Sequence, residues 1–345
     1  CIRAVAWILL LVSLVTSIST HLQAAEICVI AGDVAGLQAA LDVAAHNNED
    51  DVLMLQTGYF DVPSSVELTY YPTDQHDLTI AGGYREFQND PCGGLISNDA
   101  RLTTIHGGKT IHLYLPIGAG SISVRTLTIA GVFDPSSATA VSIAGADNTS
   151  GSVRVSNAVF SGNVSVASVA IFLSSASSVL VENSLFYGNA TLSGMPSITA
   201  TVYRQDSAFC MGIIHATFVD NVSTSRNVRI ENDSCRALLV NDIFWGNPGG
   251  DLDLASSADA ANLDLAEISD LDGATISDVL TLNPLFNADY SLSDFSPLRD
   301  AGLTGGFVFE NGNFDVFGNP RTQNDRPDIG AIEISYPIFA HPFDC

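Results

Sequence analysis

The chain has 345 residues, 46% of them hydrophobic and only 15% charged, so it can bury a large core and does not read as disordered. Its 38 Asp and Glu outnumber 13 Lys and Arg, giving a formal charge of −25 in which Lys109 is the only lysine. That excess excludes a nucleic-acid partner, which needs clustered cations, and disfavours an anionic membrane surface or an unassisted polyanionic substrate.

Residues 1–25 read as an export signal, with Arg3 ahead of an apolar run from Trp7 to Val15 and small residues at Ala24 and Ala25. The run is short for a bilayer span, and an uncleaved anchor is the alternative. The mature chain is thus expected to be secreted or displayed at the cell surface, without membrane insertion and as a monomer. Export permits disulfides among Cys28, Cys92, Cys210, Cys235 and Cys345. No pair has C-x-x-C spacing, so zinc and thiol-redox chemistry have little support.

Residues 26–60 are expected to form an N-terminal cap. Val34, Leu37, Ala40, Leu41 and Ala44 share one helical face, Asp33 suits the N-cap, and Glu49-Asp50-Asp51 ends the segment. Such a helix would shield the open edge of a sheet. A strand in DVLMLQTGYFDV then leads into the first coil.

Across 61–248 the dominant signal is a repeat of about 25 residues. Its anchors are Ile80, Ile105, Ile129, Phe160, Phe186, Phe218 and Phe244, at steps of 25, 24, 31, 26, 32 and 26. Two residues on stand Gly82, Gly107, Gly131, Gly162, Gly188, Asp220 and Gly246, so only the sixth repeat departs from glycine. Asn163, Asn189, Asn221 and Asn247 follow directly, while Asn157, Asn183, His215 and Asn241 precede their anchors by three. Alternations such as Val153-Arg154-Val155 indicate short strands with one buried face, and the glycines mark bends. Recurring Asn can form a hydrogen-bonded ladder, and recurring Phe an internal stack. The fold class implied is all-β: a right-handed parallel β-helix with an N-terminal helical cap and an irregular C-terminal cap. The longer steps mark residues 132–150 and 190–209 as candidate functional loops. Sequons at Asn148, Asn163, Asn189, Asn221 and Asn232 are open to glycosylation in a eukaryotic host.

Residues 249–282 read as an acidic linker, with Asp251, Asp253, Asp264, Asp270 and Asp272 as oxygen donors for a calcium ion, although no calcium-loop motif supports them. Otherwise no cofactor or metal is expected. A polysaccharide lyase needs a base and a cation beside the uronate carboxyl. Lys109, Arg125 and Arg154 fall in successive coils and are the candidates for one such face. With Ile105 inward, period two puts Lys109 inward and His106 and His112 outward, a register that Gly107-Gly108 interrupts. A glycosidase needs two carboxylates at a set separation, and no recognisable pair stands out.

The order LQAALDVAA, DDVLMLQTGYF, LTIAGGY and the coils ending in FSGN, FYGN and FWGN resemble the pectate-lyase-like β-helix superfamily. Residues 283–345 are similar to a choice-of-anchor Q segment, on Asp289, Tyr290, Leu292, Ser296, Pro297, Asp300 and Gly302, then Asp315, Gly318, Arg321, Asp328, Ile329, Gly330 and Glu333. The resemblance implies a secreted or surface bacterial protein, in a group whose reactions are mostly unassigned. Arg321 among Asp315, Asp328 and Glu333, in a segment without strand period, suggests a buried ion-pair cluster in a cap closing the last coil. Cys210 and Cys235 precede successive anchors by 8 and 9 residues, near enough in adjacent coils to pair. Cys28 and Cys92 would then tie the cap to the early coils, as the resemblance also suggests. Two functions follow: a non-catalytic glycan or surface binder acting in adhesion, favoured because basic residues are few, or a polysaccharide lyase, with a glycoside hydrolase behind it.

Overall fold

The computed structural model describes residues 24–334 except 116–117, 119, 135–138, 146–150, 167–168, 176–177, 194–195, 203–208, 224–225, 227, 233–235, 255–257, 262–263, 266–274, 278–279, 305–312 and 324. These residues form a parallel β-solenoid. A first ladder stacks Ala25–Val29, Asp51–Gln56, Leu78–Phe87, Ile122–Ala130, Ser152–Ser161, Ser178–Glu182, Phe209–Ile214, Arg236–Val240, Ala258–Ala261 and Thr275–Ser277. A second stacks Gly58–Val62, Thr103–Gly107, the ends of Ile122–Ala130 and Ser152–Ser161, then Leu185–Tyr187, Thr217–Val219, Ile243–Trp245 and Asp264–Leu265. A third runs from Glu67–Tyr70 through Thr110–Tyr114, Thr139–Ala144, Val169–Ser175, Ile198–Val202 and Val228–Asn232 to Leu252–Leu254.

Two columns of left-handed backbone make the corners. Between the first and second ladders stand Thr126, Asn157, Asn183, His215 and Asn241, with φ from 46 to 59°. Asn adopts this region at less cost than most residues, which explains its recurrence there. After the second ladder come Gly107, Gly131, Gly162, Gly188, Asp220 and Gly246, again at positive φ. Inside that corner Asn163, Asn189, Asn221 and Asn247 form a ladder, each Nδ2 donating to the next Oδ1 at 3.0–3.2 Å. Three of the five sequon asparagines, Asn163, Asn189 and Asn221, are therefore fully buried and no glycan fits there. Phe160, Phe186, Phe218 and Phe244 stack beside them with centroids 4.7–5.0 Å apart.

Ile80 does not belong to this column. It pairs with Leu53 and Val124 on the first ladder, and Phe60 is the residue opposite Ile105. The cause is an excursion within one coil: Leu78–Phe87 runs on into an antiparallel hairpin with Asp90–Leu95, and its chain length imitates one repeat. The hairpin is bonded to the first strand by the Cys28–Cys92 disulfide. The expected loops at 132–150 and 190–209 contain third-ladder strands, and the expected linker at 249–282 continues all three ladders.

The N-terminal helix spans Val34–Ala44, with the Asp33 carboxylate accepting from Gly36 N at 2.8 Å. Leu37, Ala40, Leu41 and Ala44 face the first coil. Gln38 exchanges two hydrogen bonds of 2.9 Å with the backbone of Thr69, so its amide completes the otherwise open edge of the third ladder. Among the described residues no helix is long and apolar enough to cross a membrane.

The C-terminal segment from residue 280 lies along the flank of the coils instead of only closing the last one. Val316, Ala331 and Ile332 bury Val159, Leu185 and Val219, while Leu292, Leu298 and Ile329 bury Ile243. Hydrogen bonds from Ala100 N to Val316 O, Ala331 N to Thr217 Oγ1 and Leu303 N to Asn241 Oδ1 fix it over several coils.

Candidate functional site

Outward side chains of the second ladder form two rows, one through Tyr59, Thr104, Thr128, Val159 and Leu185, the other through Asp61, His106, Ala130, Ser161 and Tyr187. The C-terminal segment covers this face at the later coils and reaches the earlier ones at Asp99–Arg101. What remains is a cleft of about 370 Å³, floored by Thr104, Thr128, Ala130 and Ser161 and walled by Tyr59, Tyr187, Tyr290, Phe317, Arg101 and His106.

Four of these walls, Tyr187, Tyr290, Arg101 and Phe317, are held by contacts with one another or with Asp220 and Asp99. The rings of Tyr187 and Tyr290 lie 4.8 Å apart, and the Tyr290 hydroxyl donates to Asp220 Oδ2 at 3.2 Å. Burial first, and the Asp220 charge second, push the Tyr290 phenol above its ordinary value, so it stays a donor at neutral pH. Arg101 lies 3.8 Å over the Phe317 ring and is fixed by Asp99 through bonds of 2.7 and 2.9 Å. His106 Nδ1 is 3.4 Å from Asp61 Oδ1 at the opposite rim. A second hollow of about 310 Å³ shares Arg101, Asp289 and Phe317 with the first and is lined by Asn287, Ser291 and Asn319. Aromatic faces beside fixed polar groups suit a ligand with an apolar ring face and hydroxyl edges.

The three lyase candidates do not converge. Arg125 and Arg154 share the outer face of the first ladder, opposite Ser156 and Ser123, but Arg154 Nη2 is bonded to the buried Glu182 at 2.9 Å. Lys109 lies at the corner before the third ladder, half-buried and directed not inward but to Glu67, to which it is bonded at 2.7 Å. The glycines before it turn the chain and cancel the period-two register. His112, on the third ladder, is half-buried and held below its ordinary pKa by that burial.

Of the calcium candidates, Asp251 is buried and accepts from Asn247 at 2.7 Å, and Asp253 lies 3.6 Å from Arg229. The side chain of Asp264 and residues Asp270 and Asp272 lie outside the described residues, as do Cys345, Cys235 and the Cys210 side chain. Among the described residues no group of three or more His, Cys, Asp or Glu is placed to hold a metal ion.

The C-terminal quartet is brought together. Asp315, Arg321, Asp328 and Glu333 are each at most 2% exposed. Asp315 accepts from the backbone of Phe317, Asn319 and Glu333, and Asp328 from that of Asp300 and Ile334. Arg321 lies 3.5 Å from Glu333 and donates to Gly330 O and His215 O. His215, fully buried and held well below its ordinary pKa by that burial, accepts from Asn241 Nδ2 at 3.0 Å as a neutral ring. Asn157 donates to the backbone of Phe314 and Asp315, so the corner column, apart from its repeat role, docks this segment. Among the described residues the side-chain amide of Asn183 has no hydrogen-bond partner, while its backbone N–H donates to Ile214 O at 3.0 Å.

No protein-family model matches the chain, and no curated protein is similar to it at a significant level.

The cleft residues Tyr59, Arg101, Tyr187 and Phe317 escaped the sequence reading, which followed the inward anchors. The position after each anchor held the signal: it reads His106, Ala130, Ser161, Tyr187, Val219 and Trp245 and faces outward.

Proposed function

We propose that this chain is an exported β-helix protein that binds a glycan, without cleaving it, in the cleft between the second ladder and the C-terminal segment. The observation that carries the reading is the convergence of Tyr59, Tyr187, Tyr290 and Phe317 with Arg101 and His106 around one groove. A pyranose ring offers C–H faces to such aromatics and hydroxyls to the fixed polar side chains. The Cys28–Cys92 disulfide agrees with an oxidising compartment, and the signal-like residues 1–25 with export.

Glycan-array binding by the wild-type chain and by Tyr187→Ala tests this. Binding lost in the variant while its fold is retained supports the cleft. Binding equal in both moves the site elsewhere. Unsaturated uronides released from the bound polymer, read by ultraviolet absorbance, would favour the lyase reading, with His106 beside Asp61 as the base to test first.

A further inference from the structure

Asp220 occupies a corner position that every neighbouring coil from Gly107 to Gly246 gives to glycine, and it takes the same left-handed conformation, φ 53°. Its backbone does nothing that glycine would not do. Asp220 N donates to Trp245 O at 3.2 Å, as Gly188 N donates to Val219 O at 3.3 Å one coil earlier. A side chain in this conformation is unfavourable, so the carboxylate needs a reason that the coil itself does not supply. The carboxylate is committed outward: Oδ2 accepts from the Tyr290 hydroxyl at 3.2 Å, and Oδ1 leans over the next coil, 2.6 Å from where a Cβ on Gly246 would stand. Tyr290 is itself at φ 63°, in the turn closed by its N–H to Asn287 O, and it packs on Tyr187 at the end of the cleft. Two residues in an uncommon backbone conformation thus meet through one hydrogen bond, and the product of the meeting is the placement of an aromatic wall.

We infer that Asp220 is a positioning residue for the binding cleft: it fixes Tyr290 against Tyr187, and its departure from the repeat serves ligand binding, not the coil. The inference rests on the glycan-binding reading for its purpose, and on the contact alone for its mechanism. Asp220→Gly restores the residue of the other coils. It is expected to fold with an unchanged or higher thermal midpoint, while Tyr290 becomes several-fold more reactive toward tetranitromethane, read by mass spectrometry of the Tyr290 peptide. Asp220→Asn keeps an acceptor for the phenol and should restore most of the wild-type protection. With neutral hexasaccharides (cello-, xylo-, malto- and mannohexaose) as probes, Asp220→Gly should weaken whichever binds roughly fivefold to tenfold, the loss of one charge-assisted hydrogen bond. Unchanged nitration in Asp220→Gly overturns the positioning role whether or not any probe binds. A lowered midpoint in both variants makes Asp220 a structural residue instead. Altered nitration with no hexasaccharide bound by the wild type keeps the positioning role and counts against a neutral glycan as the ligand.

Discussion

Arg321 and Glu333 meet at 3.5 Å with 1% of either side chain exposed, yet the Glu333 carboxyl is pushed up to about 8 because the cost of burial exceeds the attraction of the guanidinium. At neutral pH the contact is thus mainly a protonated acid beside a cation. Arg321 also donates to Gly330 O in its own segment and to His215 O in a coil. One side chain therefore ties the flank segment to the solenoid.

Removing that tie is expected to be costly. Arg321→Ala leaves the buried His215 and Gly330 carbonyls and the Glu333 carboxyl without their donor, and should lower the unfolding free energy by about 3–5 kcal/mol in urea titration. Since the segment also carries Tyr290 and Phe317, ligand binding in the cleft should fall with it. A loss under about 1 kcal/mol would mean that the apolar contacts of Val316, Leu298 and Ile329 hold the segment by themselves.

The same cluster sets a pH dependence. Glu333 titrates near 4.5 when unfolded and at about 8 when folded, so its contribution is fully present below 4.5 and is lost as the pH rises to 8. Burial raises Asp242, Asp315 and Asp328 as well, which act in the same direction from their lower starting point. His215 opposes them only below 6.5, where the unfolded imidazole takes up a proton that the buried ring refuses. Between 6.5 and 8, stability should therefore fall by about 1.4 kcal/mol per pH unit from Glu333. Urea midpoints at stepped pH should show this slope, and Glu333→Gln should flatten it. A slope shared by both proteins would place Glu333 among ordinary carboxylates.

Much of this architecture is legible in the sequence because stacking repeats it. Phe160, Phe186, Phe218 and Phe244 occupy one register, and a residue type that recurs at one offset has one environment to satisfy. Ile80 shows where the logic fails, since the hairpin after it lengthens a single coil by nearly one period. The concentration of charge around Arg321 is legible too, as an arginine among carboxylates in a segment without strand period. Its docking flank is not, because contacts such as Asn157 to Phe314 cross 157 residues with no repeat to mark them. The cleft is less legible still, being assembled from outward positions and a turn that only the folded chain brings together.

The Cys28–Cys92 bond closes a loop across 64 residues, joining the first strand to the hairpin. Opening a loop of that length costs about 4 kcal/mol by chain entropy alone, and somewhat less once residual structure is allowed. Solenoid ends unfold before their middles. Cys92→Ser should accordingly speed amide hydrogen exchange over residues 25–45 while leaving the coils from Thr217 to Trp245 protected. Uniform loss of protection along the chain would instead make the N-terminal coils the nucleus on which the rest depends.

Asn189 offers the sharpest test of the internal ladder. Its Nδ2 donates to Phe160 O at 2.9 Å and to Asn221 Oδ1 at 3.0 Å, while its Oδ1 accepts from Asn163 N and Nδ2 at 3.1 Å. All these groups are buried, so a truncation strands donors and acceptors on both sides at once. Each orphaned group costs about 1–3 kcal/mol, and sharing among neighbours keeps the sum below full additivity. Asn189→Ala is expected to destabilise the chain by roughly 3–5 kcal/mol. Asn189→Asp keeps the acceptor for Asn163 but loses the donor to Phe160 O and buries a carboxyl, so it should be no milder and should worsen as the pH rises. Chemical denaturation of the two variants at low and neutral pH checks both statements. An Asn189→Ala loss under about 1 kcal/mol would mean that the Phe160–Phe186–Phe218–Phe244 stack sets the corner by itself and the asparagines merely occupy it.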